Sequence, residues 1–520
     1  MNRAERFATI GRYLAALRQL GDLDAGGNPL RDALRCGTVD LWSASSTRES
    51  SLWRDPTLAD QITVLNHPAR RGHRPKIEMT PALIRSMAAW VRALLHSLYG
   101  RPSPALDADV VFVQYWPTPA PGSPEVVSGT WRSPYFGSLP AKLQASGISV
   151  GFLHLHADGP VTRPVSAVVH AVRRTSTTEV RHALLSDALS RRRWVRAFSA
   201  WRTIQRRWPT KRELESQFLA GSDLALLWPW WFRSLRQSVR GSQGVRNALL
   251  SEMFGEVIRQ NRSTRLWIMA FEGQGWESCL IRQLEAANQN WLPYLHTMMR
   301  PWDLRAHTFL SEHDVKQLAV HGRHDRTELA MHDTDLIDVE ALRYQHLGDE
   351  PPREPRSTAA TPTERPWLIV GGGDCELSRS ELLSFLQSLR RRSVSRHLVA
   401  RWHPQCRQPG GDEFIGVTFT SSPLRDLAQQ VGAAFMVGRA APLDTYLMGV
   451  PSCYLLDESG LSMSPIDDNE SHRAAISSDE AVEWMLTAEQ QIVPAVDVSD
   501  YFTVDAELPR WLALVNRRVS

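Results

Sequence analysis

The sequence predicts an α/β protein of two Rossmann-like domains, the first of which carries a helical insertion. Three observations lead there. Short apolar runs alternate with helical stretches along most of the 520 residues, and such alternation is resolved by a parallel sheet covered with helices. Residues 349–366 (DEPPREPRSTAATPTERP) have no apolar period and are rich in Pro, Ser, Thr and charge. They read as a linker between an N-terminal part, 1–348, and a C-terminal part, 367–520. From about 175 to 260 the alternation gives way to a helical stretch crowded with Arg and Trp.

In the C-terminal part, 367–370 is an apolar strand that runs into Gly371, Gly372 and Gly373. Ser378 and Glu381 have the spacing of a capping box, placing the start of the next helix there. Strands follow at 397–400, 414–419, 433–437 and 452–456. Ser422-Pro423 supplies an N-cap and a proline at the first helical position, and 443–448 is a further helix. In the N-terminal part, Thr80-Pro81 opens a helix that runs to Gly100. Strands are expected at 110–113, 148–155, 266–271 and 291–296, with helices at 139–145 and 279–287.

Composition narrows the function classes. Hydrophobic residues make up 42% and charged residues 22%, so large buried cores are available. No apolar run reaches the roughly 18 residues of a membrane span. The first twenty residues carry Arg3, Glu5, Arg6, Arg12 and Arg18, an amphipathic helix rather than a signal peptide, so a cytoplasmic location is expected. The net charge of +4 does not suggest nucleic-acid binding. Five dispersed cysteines without a CxxC pair suggest buried, reduced thiols rather than a disulfide framework or zinc knuckle. The basic residues are Arg except Lys76, Lys142, Lys211 and Lys316; guanidinium forks suit phosphate and carboxylate.

Ligands of open parallel sheets sit beyond the carboxyl ends of the strands, so the residues that follow each strand are the candidates. Gly371, Gly372 and Gly373 allow backbone to approach a phosphate at a helix N-terminus, though a tight strand-to-helix turn needs the same glycines. Arg401, His403 and Pro404 follow the next strand; Arg401 and His403 can together hold a diphosphate. Asp444, in the first turn of a helix, can accept both hydroxyls of a ribose, or can simply complement the helix dipole. Glu272 and Glu277 flank Gly-Gln-Gly-Trp on a strand-end loop. A carboxylate there can act as general base, and Trp276 would desolvate Glu272 and raise its pKa; Glu277 equally suits a helix cap. His296 ends the following strand as a second base candidate, with Arg300 close by.

Other patterns carry less. The histidines 307, 313, 321, 324 and 332 lack metal-ligand spacing, and Asp333-Thr334-Asp335 does not follow a convincing strand. No metal site is expected. Trp194, Phe198, Trp201 and Trp208 form an aromatic stripe among arginines. Such a helix packs as core or lies on an anionic membrane.

Eight segments, in order along most of the chain, resemble one family: DLWSASSTRESSLW (40–53), SPYFGSLPAKL (133–143), LALLWPWWFRSLRQSVRG (224–241), FEGQGWE (271–277), YLHT (294–297), VEALRYQHL (339–347), RWHP (401–404) and YFTVDAELPRW (501–511). The family is that of bacterial surface-carbohydrate biosynthesis proteins of O-antigen-type gene clusters, distantly similar to GT-B glycosyltransferases. The resemblance implies a GT-B fold and metal-independent transfer from a nucleotide-sugar donor to a glycan or lipid-linked acceptor, with no further cofactor. It puts Arg401 and His403 on the donor phosphates, Asp444 near the ribose and Glu272 on the acceptor side. A transferase of a phosphorylated alcohol from a CDP donor, a sugar-nucleotide epimerase and a non-catalytic assembly protein are the alternatives.

Overall fold

The computed structural model describes residues 3–49, 61–62, 65, 82–98, 105–116, 133–156, 165–177, 179–218, 223–347, 365–373, 375–403, 406, 408–409, 413–428, 430–438, 443–456, 462, 464–490 and 496–520. The first sheet has seven strands: β1 (Val110–Tyr115), β2 (Val150–Leu155), β3 (Val180–Leu184), β4 (Leu266–Phe271), β5 (Trp291–Leu295), β6 (Gln317–Val320) and β7 (Asp335–Asp338). The second has six: β8 (Trp367–Gly371), β9 (Leu398–Arg401), β10 (Val417–Thr420), β11 (Ala434–Val437), β12 (Ser452–Leu455) and β13 (His472–Ala475). Every pairing within both sheets is parallel. The spatial orders are β3-β2-β1-β4-β5-β6-β7 and β10-β9-β8-β11-β12-β13. Each sheet starts in its middle, winds to one edge and returns to build the other. This creates one topological switch point between β1 and β4 and a second between β8 and β11. The expected pair of Rossmann-like domains is what the chain forms.

Strands covered on both faces are apolar almost throughout: β4 reads LWIMAF and β1 reads VVFVQY, whose buried Gln114 accepts the Ser133 hydroxyl at 2.6 Å. Val111, Val113, Trp267, Met269 and Phe271 point to one core, which includes the helical insertion. Val110, Phe112, Leu266, Ile268 and Ala270 point to the other. That second core is closed by the helix Leu139–Ala145 and by the last helix, Pro509–Val519, through Trp511, Leu514, Val515 and Val519. The Trp511 indole donates to the Glu340 carbonyl at 2.9 Å, while the amides of Arg510 and Trp511 donate to the Glu340 carboxylate at 3.0 and 3.1 Å. The end of the 367–520 part therefore belongs to the core of the first sheet.

Several elements differ from expectation. β3 lies inside the stretch read as helical. The insertion proper is the helices Arg191–Arg207, Lys211–Phe218, Asp223–Arg240 and Ser242–Gln260. β6, β7 and β13 were not expected; each has four residues, too few to show a period among polar neighbours. Asp335 opens the edge strand β7, the amino end of the sheet and the wrong end for a ligand crevice. The helix after β8 begins at Cys375, so Ser378 and Glu381 are not its cap. Instead Glu381 accepts the Gly438 amide at 2.7 Å, tying that helix to the end of β11.

The aromatic stripe is internal. Trp201 and Trp208 are buried, and Trp194 packs against the same core. The indoles of Trp194 and Trp201 donate to the Trp90 and Val239 carbonyls at 3.0 and 3.1 Å. This stripe packs against the core of the first domain. The expectation of reduced thiols fails at one pair: Cys375 and Cys406 form a disulfide, joining the helix after β8 to the loop after β9. Residues 349–364 of the expected linker, Thr80-Pro81 and Pro404 lie outside the described residues.

Candidate active site

The switch point of the first sheet is crossed by side chains. Tyr115, the last residue of β1, donates its hydroxyl to Gln274 Oε1 at 2.7 Å. Gln274 follows β4, and its amide nitrogen in turn donates to Glu272. The turn between them needs a glycine: Gly273 has φ of +65°, and a Cβ there would stand 2.6 Å from the Arg305 Cβ. The two acids of this loop take different positions. Glu277 is fully buried, and its oxygens accept the amides of Glu272 and Gln274 at 3.0 Å each. Burial, followed by the charge of Glu272, pushes its carboxyl well above the usual carboxylate range. Both oxygens are committed to starting the helix Gly275–Ala286.

Glu272 instead faces the end of β5. Its Oε1 lies 3.1 Å from His296 Nε2, and its side chain is 27% exposed. Burial alone would raise its pKa. The hydrogen bond and charge of His296, the charge of Arg305 and the Gln274 amide outweigh burial and pull it down to about 2. This reverses the expectation drawn from Trp276, whose indole is buried and turned into the core against Tyr115 and Phe254. Glu272 is thus held as an anion against His296. His296 is almost buried and packs on Tyr135 with ring centroids 5.0 Å apart. Behind the pair, Arg305 is held by Asp303 at 2.7 Å through its Nε.

In the second sheet, Gly371 pairs with Val437, and the Gly372 amide donates to the Val437 carbonyl at 2.7 Å. The Gly372 amide therefore serves the sheet. A Cβ on Gly371 would stand 2.9 Å from the Trp402 indole and 3.4 Å from the His403 backbone nitrogen. Its absence therefore lets the segment after β9 close over β8. Gly373 lies at the crevice, with its Cβ direction 3.9 Å from His403 Cε1. The disulfide spans the same two loops. Arg401 is anchored through Nε to the Ser422 carbonyl at 3.1 Å. His403 is held below the ordinary histidine pKa by burial, then by the charges of Arg401 and Arg343. A place that disfavours a proton on histidine through two guanidinium groups is a place that favours an anion.

Arg343 joins the two halves. It sits in the short 3-10 turn Leu342–Leu347, beyond β7, and its guanidinium is 3.7 Å from Asp444 of the second domain. It also feels the charge of Glu272. Below it, Met298, Ala341 and Tyr344 pack with Leu443, Leu447, Ile466 and Phe502, and Tyr344 stacks on Phe502 at 4.1 Å. Glu272, Arg343, Asp444, Arg401 and His403 thereby share one electrostatic neighbourhood between the sheets.

No protein-family model matches the chain, and no curated protein does. Among solved structures, a UDP-N-acetylglucosamine 2-epimerase from Rickettsia bellii is similar at 9% identity, covering 79% of this chain and 95% of that one with a TM-score of 0.42. A glycosyltransferase from Rickettsia africae has 9% identity, 79% and 99% coverage and a TM-score of 0.38. An alpha,alpha-trehalose 6-phosphate synthase from Burkholderia multivorans has 9% identity, 79% and 93% coverage and a TM-score of 0.37. These are remote likenesses of architecture and do not carry those proteins' activities to this chain.

Sequence reasoning pointed to Glu272, His296, Gly373, Arg401, His403 and Asp444, which the fold gathers around the two switch points. It missed Arg343, Arg305, Gln274, Tyr115 and Tyr135. Arg343 follows an edge strand that left no pattern; its place just before a Pro-rich linker was the available signal. Gln274 and Tyr115 meet only through the β1–β4 pairing order.

Proposed function

We propose that the chain transfers a glycosyl group from a nucleoside-diphosphate sugar, held by the second domain, to a hydroxyl of an acceptor held by the first. The observation that carries this reading is the pairing of a Glu272–His296 dyad with a cationic, histidine-bearing strand end across one cleft. His296, oriented by Glu272, takes the acceptor proton. The acceptor oxygen bonds to the anomeric carbon as the bond from that carbon to the donor phosphate oxygen breaks, and the nucleoside diphosphate leaves with the bonding electrons. Its growing negative charge is met by Arg343, Arg401 and His403, donors already in place. Three such groups can do the charge neutralisation that a divalent cation does elsewhere, which supports a metal-independent reaction. Asp444, beside Arg343, is the group offered to the ribose hydroxyls.

The acceptor we assign is a growing surface glycan, free or lipid-linked, on the strength of the eight resembling segments. A thermal-stability screen with UDP, GDP, CDP, dTDP and CMP and their sugar conjugates tests the donor class. At a hundredfold excess over its Kd the right nucleotide stabilises the fold by about 2.7 kcal/mol. That gain should shrink in His403→Ala. A preference for CMP or for a CDP-alcohol would favour a different transfer chemistry, and no response to any nucleotide would exclude this one.

A further inference from the structure

The helix Ala82–Leu98 has one face in the protein and another that nothing described covers. Ser86, Trp90 and Ser97 are buried, and Ala93 packs on the same core. Met87, Val91, Leu95 and Leu98 are each more than half exposed. Their spacing of four, four and three residues puts them on a single stripe about 16 Å long. On the neighbouring helix Arg191–Arg207, Val195 is also more than half exposed. The two helices are locked together by Trp90, which contacts the rings of Trp194, Phe198 and Trp201. Among the described residues, five of the nine exposed large apolar side chains thus lie on these two adjoining helices. An apolar stripe of this kind marks an interaction surface.

Its surroundings define the partner. Arg92, Arg191, Arg192, Arg196 and Arg202 are exposed, and neither helix contains an acidic residue. A second copy of this face would set arginines against arginines. An anionic phospholipid surface accepts both parts: the apolar side chains enter the headgroup boundary while the guanidinium groups meet phosphates. We infer that the first domain docks on anionic membrane through the Met87–Val91–Leu95–Leu98 stripe and the arginines beside it. The contact is made by the outer faces of these helices, not by the internal tryptophans, and it does not depend on the identity of the donor.

The test is flotation of the full chain with vesicles of phosphatidylglycerol and phosphatidylcholine, against phosphatidylcholine alone. The chain should float with the anionic vesicles only, and less as salt rises. Val91→Asp/Leu95→Asp should weaken binding more than tenfold, and Arg191→Gln/Arg192→Gln about fivefold for each arginine removed. Circular dichroism and nucleotide-dependent stabilisation should match the parent, because these positions are exposed and lie outside the cleft. That second readout separates loss of membrane docking from loss of the donor site. Equal flotation with neutral vesicles, no flotation with anionic ones at low salt, or full binding by the Asp variant would overturn the inference. So would a solution dimer that the Asp variant converts to monomer.

Discussion

Replacing Glu272 with glutamine probes the dyad directly, because the substitution keeps shape and an acceptor oxygen but removes the charge. The Glu272 carboxyl is drawn from 4.5 to about 2 by His296, Arg305 and Gln274 against the opposing effect of burial. Each pH unit of such a shift corresponds to about 1.4 kcal/mol, so the environment favours the charged form by at most about 3 kcal/mol. The sign follows from linkage: the folded-state pKa is depressed, so this stability is complete above about pH 4.5 and is lost as pH falls toward 2. Glu272→Gln should therefore be about 1–3 kcal/mol less stable than the parent at pH 7. Most of that gap should close by pH 3. Urea unfolding of both proteins at pH 7, 5, 4 and 3 measures it. A gap of equal size at pH 7 and pH 3 would show that the carboxylate is not held as an anion, and the dyad would fail as an explanation. Turnover offers an independent check. Glu272 acts through His296, so the double variant Glu272→Gln/His296→Ala should be no slower than His296→Ala alone.

Three further outcomes are expected. His403 is kept below its ordinary pKa by burial and by two arginines, and a bound diphosphate raises it; nucleotide affinity measured by calorimetry should tighten as pH falls below about 6.5, and His403→Ala should flatten that dependence. Gly273→Ala places a Cβ 2.6 Å from Arg305 at a φ of +65°, so it should displace the Glu272 loop and lose activity together with about 1–3 kcal/mol of stability, whereas Gly147→Ala, with a φ of +84° but no atom within 4 Å of the added Cβ, should cost stability and leave activity intact. Trp511→Ala removes a fully buried indole from the core of the first sheet and should cost about 3–5 kcal/mol, read as early unfolding of the first domain although the residue is nine from the end of the chain.

What the sequence made legible follows from locality. β4 was found with its observed bounds because LWIMAF is continuous, apolar and flanked by polar residues. Glu272, His296, Arg401 and His403 were found because each lies at or just past the carboxyl end of a strand. The errors came from contacts between distant segments. Trp276 is only four residues from Glu272 in sequence, but the neighbour that sets the acid's charge is His296, at the end of the next strand over. Cys375 and Cys406, 31 residues apart, become partners only because β8 and β9 are adjacent. The Trp stripe of Arg191–Arg207 has the same spacing whether it meets lipid or Trp90, and only packing decides between them. The last helix gives no sign in its own residues that it returns to the first sheet.

The central claim is that the cleft binds a sugar nucleotide and that His296 drives transfer from it. It is tested most directly by measuring nucleoside diphosphate release from the stabilising sugar nucleotide in the presence of a glycan acceptor, for the parent, His296→Ala and Arg343→Gln. His296→Ala should slow release roughly 10²–10⁴-fold while its nucleotide Kd stays within about twofold, since a base on the acceptor side does not touch the donor. Arg343→Gln should weaken nucleotide binding by about tenfold or more, the loss of one charged hydrogen bond to phosphate. Release that continues at the parent rate in His296→Ala would contradict the account.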